Sequence, residues 1–283
     1  MARLIDGKAA AAAVRAGVAE RVAAYKERNG YAPGLAVLIV GENPASQVYV
    51  RNKKKACEEV GMVSDVRELP EETTMDELLA VIAELRENDR IHGILVQLPL
   101  PKHLDPDAVI LAIPPEKDVD AFHPVNLGRL LIGDAVLKPC TPSGIMRMLQ
   151  MNGIDPAGKD CVVIGRSTIV GKPMALLLTQ ANGTVTLCHT KTKDLAEKTR
   201  RAEILVSAVG KAGFVTADMV AEGAVVIDVG MNRDENGKLC GDCDFAALSE
   251  KVSAITPVPG GVGPMTVAML MENTITAAEA LEG

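Results

Sequence analysis

Cys161-Val-Val-Ile-Gly165-Arg-Ser-Thr-Ile-Val-Gly171-Lys-Pro173 runs as a buried strand, turns on glycine and then enters a helix that begins at the proline. This strand–turn–helix is the entry unit of an α/β domain. Glycine lets the backbone approach a pyrophosphate, and the helix N-terminus supplies N–H groups and a positive dipole. A P-loop needs G-x4-G-K-[ST]. Five residues separate the glycines here and proline follows the lysine, so that template fails. The G-x-G-x-x-G fingerprint also fails literally, because Arg166 and Ser167 follow Gly165. Taken alone, the loop could equally be an ordinary β–α turn. The next strand adds chemistry. NAD-specific sites usually end that strand with an acid for the ribose hydroxyls. Here residues 184–188 lead into His189-Thr190-Lys191-Thr192-Lys193, basic and hydroxylated. With Arg166, that favours a 2′-phosphate and hence NADP over NAD. The alternative is that Lys191 and Lys193 are solvated loop charges.

Outward from this stretch the pattern keeps alternating. Strands are expected at 160–164, 184–188, 204–207, 224–228 and 253–256, with helices between them and a final helix from about Pro264. Upstream, helical spacing covers 8–28, 46–60 and 74–87. The last opens with a Thr74-Met-Asp-Glu77 capping box, and the second stops at Gly61. Apolar strands fall at 35–40 and 91–98, with weak alternation at 63–68. A proline- and aspartate-rich stretch runs from Pro99 to about Asp120, and Thr141-Pro142-Ser143 reads as the start of another helix. Strands separated by helices imply parallel sheets with right-handed crossovers. The expectation is two α/β domains with a cleft between them, the second a Rossmann-like parallel-sheet NADP-binding domain. The first spans 1–119 and the second 120–283, with helix 265–283 packing back on the first.

Bulk properties narrow the function. A net charge of −7 with one short basic cluster, Arg51-Asn52-Lys53-Lys54-Lys55, makes nucleic acid a poor partner, because phosphate contacts dominate that affinity. No run reaches the ~18 apolar residues of a membrane span, and Asp6, Lys8 and Arg15 interrupt any signal core. A cytoplasmic, membrane-free protein is expected. Of six cysteines, only Cys240-Gly-Asp-Cys243 is a CxxC pair, and two further ligands at zinc spacing are missing. Six reduced thiols and no metal are expected.

Tyr49-Val-Arg-Asn-Lys53-Lys, Gly93-Ile-Leu-Val-Gln97-Leu-Pro-Leu-Pro101, Pro115-Glu-Lys-Asp118-Val-Asp120, Lys138-Pro-Cys-Thr-Pro142, the Gly165-Arg-Ser loop and Pro257-Val-Pro-Gly-Gly-Val-Gly-Pro-Met-Thr266 occur in that order. With them the chain resembles, along almost its whole length, the bifunctional methylenetetrahydrofolate dehydrogenase/methenyltetrahydrofolate cyclohydrolase family. The resemblance implies NADP-dependent oxidation of 5,10-methylenetetrahydrofolate and hydrolysis of the methenyl product to 10-formyltetrahydrofolate, usually in a homodimer. It makes Lys53 the catalytic lysine, Tyr49 its companion, Gln97 the glutamine that contacts it, and Asp120 the aspartate holding the pterin. Leu98 joins the folate pocket with Pro259, Gly260, Gly261 and Val262. Gly165, Arg166, Ser167, Thr190 and Met231 fall where the family binds NADP. Three positions depart. Ala121 replaces a common glycine, Thr190 a serine and Met231 an isoleucine.

The residues themselves give a physical account. Tyr49 and Lys53 are four apart and share a helix face, although RNKKK also reads as a solvated basic face. Hydrolysis of a methenyl carbon needs a group that takes and returns protons. A lysine does this if burial and the like charges of Arg51, Lys54 and Lys55 lower its pKa, while the neutral Gln97 orients it without adding negative charge. Asp120 suits the donor edge of a pterin, being acceptor-only when ionised, and Asp118 suits turn chemistry. Gly260-Gly261-Val-Gly263 is compatible with both a turn into the last helix and close approach to a flat ring. The rivals are a monofunctional NAD(P)-dependent dehydrogenase and a non-catalytic nucleotide-binding module.

Overall fold

A computed structural model describes residues 1–282, apart from the side chain of Ala45. In chain order the elements are β1 (Arg3–Leu4), α1 (Gly7–Asn29), β2 (Gly34–Val40), α2 (Pro44–Val60), β3 (Val63–Leu69), α3 (Met75–Arg86), β4 (Gly93–Val96), α4 (Pro106–Ala112), α5 (Pro124–Ile132) and α6 (Cys140–Met151). There follow β5 (Asp160–Ile164), α7 (Gly171–Gln180), β6 (Thr184–Cys188), α8 (Leu195–Thr199), β7 (Ile204–Ser207), β8 (Val225–Asp228), β9 (Asn232–Arg233), β10 (Leu239–Cys240), α9 (Phe245–Ser249), β11 (Ala254–Ile255) and α10 (Val262–Leu281).

The chain divides into two compact units. One comprises Met1–Ala11 with Thr141–Thr266, the other Ala12–Cys140 with Val267–Gly283. The division falls at Cys140/Thr141, later than the residue 120 expected from sequence. The cause lies in the segment between, which is tied to what precedes it. Asn126 Nδ2 donates to Pro115 O at 2.8 Å, and Leu130 and Leu137 are buried. The first residues join the other unit because β1 pairs in parallel with β11, Arg3 opposite Ala254. The last helix contributes Val267 onward to the unit containing Lys53.

In that unit a parallel sheet has the order β3-β2-β4. All seven residues of β2 are buried, as a central parallel strand covered on both faces requires. Ala36, Leu38, Ile94 and Val96 pack against Leu78, Ile82 and Leu85 of α3 and Val109 of α4. Thr74 caps α3 as its spacing foretold: its hydroxyl accepts from Glu77 N at 3.3 Å while the Glu77 carboxylate accepts from Thr74 N at 2.8 Å. Two short helices lie where only irregular chain was expected. Asp105 caps α4 ahead of Pro106, and His123 caps α5 ahead of Pro124, so proline stands at the first helical turn, where its missing N–H costs nothing.

In the other unit six parallel strands run in the order β1-β11-β8-β7-β5-β6. The chain leaves β5 for β6 on one side and then crosses to β7 on the other, which makes β5 the topological switch point. Val162, Ile164, Leu205, Val226 and Ile255 form one continuous core under its helices. A small antiparallel hairpin, β9–β10, was not expected. All six cysteines carry free thiols. Among the described residues no helix is long and apolar enough to cross a membrane.

Candidate active site

Lys53 projects from α2 and is half-buried. Its Nζ donates to Gln97 Oε1 at 2.8 Å. Gln97 follows β4 directly, its own N–H bonded to Leu38 O at 2.8 Å. Its amide is fixed the right way round, because Nε2 donates to the carbonyl of Leu98 at 2.7 Å and leaves Oε1 to face the amine. Tyr49 sits one turn before Lys53 on the same helix and is partly exposed.

Burial drives the Lys53 pKa down. Asp120 and Cys140 oppose that shift electrostatically. The cations expected to help do not act: Arg51, Lys54 and Lys55 are exposed, and desolvation carries the effect. Burial also drives the Asp120 carboxyl up, with Lys53 pulling it back and a hydrogen bond from Cys140 doing the same. For both partners burial is the largest influence, so the pair is held where ammonium and carboxylate are both disfavoured. Asn273 of α10 holds the segments on either side of Asp120 and Cys140 together. Its Nδ2 donates to Val119 O and Lys138 O, each at 2.8 Å, and meets Cys140 Sγ at 3.5 Å.

Asp118 is a turn residue in this structure. One oxygen, Oδ2, accepts from His123 N at 2.7 Å and Asn126 Nδ2 at 3.1 Å. Ala121 lies in the left-handed region, φ 60, fully buried. That conformation costs an L-residue about 1 kcal/mol, offset by roughly 0.8 kcal/mol for the buried methyl. Alanine is therefore tolerated in this conformation.

In the other unit the Gly165 turn leaves the carboxyl end of β5 at the switch point. Gly165 has φ +122, and a Cβ there would lie 2.3 Å from Ala208 O. No side chain fits, and the backbone is left bare for a ligand. The helix starts at Gly171, two residues before the proline expected to open it. Ser167 organises that start: its hydroxyl oxygen accepts from Val170 N at 3.1 Å and Gly171 N at 3.2 Å, leaving its O–H as a donor. Arg166, Thr190, Lys191 and Lys193 are all exposed, with basic groups at the ends of β5 and β6. A bare glycine turn, a helix N-terminus and exposed cations at a switch point suit a phosphorylated dinucleotide.

Within the same unit, Met231 is partly exposed, and its Cε lies 3.2 Å from where a Cβ on Gly263 would stand. Pro259 is exposed and Gly260 partly so, whereas Gly261 and Val262 are buried, and α10 begins at Val262. Spacing and resemblance find the Lys53–Gln97 pair. They do not find Asn273, whose partners lie more than a hundred residues away and leave no local pattern.

Comparison with known proteins agrees with this geometry in both units. The family model for the tetrahydrofolate dehydrogenase/cyclohydrolase catalytic domain matches residues 5–120, and that for the same family's NAD(P)-binding domain matches 139–282. The chain is 58% identical over 279 residues to the bifunctional protein FolD of Magnetococcus marinus, covering 99% of this chain and 98% of that one. The crystal structure of the bifunctional FolD methylenetetrahydrofolate dehydrogenase/cyclohydrolase from Campylobacter jejuni has TM-score 0.97 and 50% identity, covering 99% of this chain and 100% of that one. The Trypanosoma brucei methylenetetrahydrofolate dehydrogenase-cyclohydrolase, complexed with NADP cofactor and inhibitor, has TM-score 0.95 and 41% identity, covering 99% of this chain and 98% of that one. Two matched domains and full-length relatives place the chain in the tetrahydrofolate dehydrogenase/cyclohydrolase family.

Proposed function

We propose that the chain oxidises 5,10-methylenetetrahydrofolate with NADP and hydrolyses the resulting 5,10-methenyltetrahydrofolate to 10-formyltetrahydrofolate. The observation that carries the reading is the half-buried Lys53, its amine bonded to the neutral Gln97 amide at 2.8 Å. A monofunctional dehydrogenase has no use for such an amine, and a non-catalytic module has still less.

In the hydrolytic half-reaction Lys53 acts uncharged. Water adds to the methenyl carbon and gives its proton to the amine. Lys53 then returns that proton to the folate nitrogen as the carbon–nitrogen bond breaks. The hydroxyl of the adduct loses its own proton to solvent and becomes the formyl oxygen. The substrate's positive methenyl group adds like charge beside the amine and favours its neutral form further. Gln97 keeps the lone pair aimed, and Tyr49, one turn away, positions substrate and relays protons. Asp120 binds the pterin amine and ring N–H. Leu98, next to Gln97, borders the folate on the same unit.

In the oxidative half-reaction bound NADP supplies a hydride acceptor. The residues that would hold it are Gly165, Arg166, Ser167, Thr190 and Met231: the glycine turn admits the pyrophosphate backbone-close, and Arg166 with Thr190 and the neighbouring lysines meets a 2′-phosphate. The reading extends to a cytoplasmic homodimer. Light scattering on a sizing column tests the dimer, and a mass of one chain overturns it.

The decisive assay couples both steps: NADPH formation from methylenetetrahydrofolate, then loss of methenyl absorbance. Lys53→Met nearly abolishes the second signal while affecting the first separately and less. Methenyl hydrolysis at the wild-type rate in that variant removes Lys53 from the reaction, and no hydrolysis by the wild type leaves the monofunctional reading. A kcat/KM with NAD equal to or better than that with NADP overturns the cofactor assignment.

A further inference from the structure

Cys240-Gly-Asp-Cys243 is not used by either half-reaction, yet the structure buries its aspartate completely. The approach is a backbone one. A Cβ on Gly241 would fall 1.9 Å from Asp228 Oδ2, so only glycine lets this segment cross the end of β8. Asp228 fixes the crossing by accepting from Asp242 N and Cys243 N, each at 2.9 Å, and from Gly230 N at 3.0 Å.

Asp242 then reaches the loop that follows β7. Its Oδ2 accepts from Val209 N at 2.8 Å and Ser207 Oγ at 3.1 Å, and its Oδ1 from Lys211 N at 3.0 Å and Asn232 Nδ2 at 2.9 Å. Four donors converge on one carboxylate. The loop it holds is the wall of the glycine turn: Ala208 N donates to Ile164 O at 2.8 Å, and Ala208 O fills the place a Gly165 side chain would take. Through Asn232 the same carboxylate secures the residue beside Met231.

We propose that Asp242 is a positioning residue for the dinucleotide, acting without touching it by setting loop 208–211 against the Gly165 turn and locking the loop after β8. The proposal rests on the NADP reading above. Asparagine is the informative replacement. Each carboxylate oxygen serves one backbone N–H of the loop. Whichever way the amide turns, its own N–H therefore meets Val209 N–H or Lys211 N–H, and the loop must shift. The charge that gathered the four donors is lost as well.

The experiment measures NADP+ binding by calorimetry, KM for NADP+ in the dehydrogenase assay, and methenyl hydrolysis without cofactor, for the wild type, Asp242→Asn and Ser207→Ala. In Asp242→Asn, Kd and KM for NADP+ rise roughly tenfold, the size of one lost hydrogen bond to a charged group. Methenyl hydrolysis stays within about twofold, a change worth less than one ordinary hydrogen bond. Ser207→Ala moves Kd the same way by about threefold, as loss of a single hydroxyl donor predicts. Wild-type Kd in Asp242→Asn overturns the proposal, as do equal losses in the two activities, which mark a general structural defect. If Asp242→Asn fails to fold, Ser207→Ala decides, and a wild-type Kd there overturns the proposal. A wild type that does not bind NADP+ defeats the cofactor reading itself, whereas wild-type binding that neither variant weakens defeats only the role of Asp242.

Discussion

An amine works as a base near neutrality only if its surroundings make the ammonium costly, and at Lys53 that cost comes from burial. The sign of the pH dependence follows. As pH falls through the lowered pKa, Lys53 gains a proton and methenyl hydrolysis declines, while above it the rate is level. The acid limb should be present in the wild type and absent from the residual activity of Lys53→Met, as a pH–rate profile would show. An identical limb in both would assign the titration to another group. Asp118 gives a stability prediction of the opposite kind. Burial pushes its carboxyl up from 3.8 to about 6. A raised folded-state pKa means stability that is complete below pH 3.8 and lost as pH rises through 6, on the order of 3 kcal/mol. Because Oδ2 alone accepts both hydrogen bonds, Asp118→Asn keeps them and removes the titration. Its Tm should exceed that of the wild type by a margin that widens between pH 4 and pH 7, and a constant margin would refute this. At this scale the sequence was partly legible. Tyr49, Lys53 and Gln97 could be read from helical spacing and motif. Burial as the cause of the lysine's shift could be expected, but the neighbouring cations expected to help are exposed, and the opposing pull of Asp120, distant in sequence, left no local pattern.

The elements β2, α3, β5 and β7 were legible because each carries a full period of its pattern. The two-residue strands β1, β9 and β10 carry none, and their pairing is decided by partners distant in sequence. The helices α4 and α5 were hidden by composition. Prolines that read as loop are in fact helix starts behind Asp105 and His123. The β5–turn–α7 unit is where element and chemistry meet. Gly165→Ala puts a methyl 2.3 Å from a backbone carbonyl at φ +122, so the turn must open. Dehydrogenase activity should fall at least tenfold, chiefly through KM for NADP+ and on the scale of ~1.4 kcal/mol or more, with methenyl hydrolysis nearly intact. Unchanged KM would mean the turn does not bear the cofactor.

At the scale of the molecule, each compact unit is assembled from two separate stretches of chain. Helices α1 and α10 each contribute residues to both units. This was half legible: the return of the last helix could be expected, whereas the defection of residues 1–11 depends on two β1 residues without pattern. A cut after Cys140 therefore leaves one fragment without Val267–Gly283, including Asn273, and the other without β1. Fragments 1–140 and 141–283, each prepared alone, should lack a cooperative thermal transition. A sharp sigmoidal melt from either would show that its missing stretch is dispensable. The parallel pairing of Arg3 with Ala254 also has a consequence for birth of the chain. Synthesis runs from amino to carboxyl end, so β1 leaves the ribosome long before β11 and must wait for it. Until Ala254–Ile255 emerges, the six-stranded sheet has an open flank along β8, and an abandoned nascent chain would carry that flank exposed to whatever strand it met first.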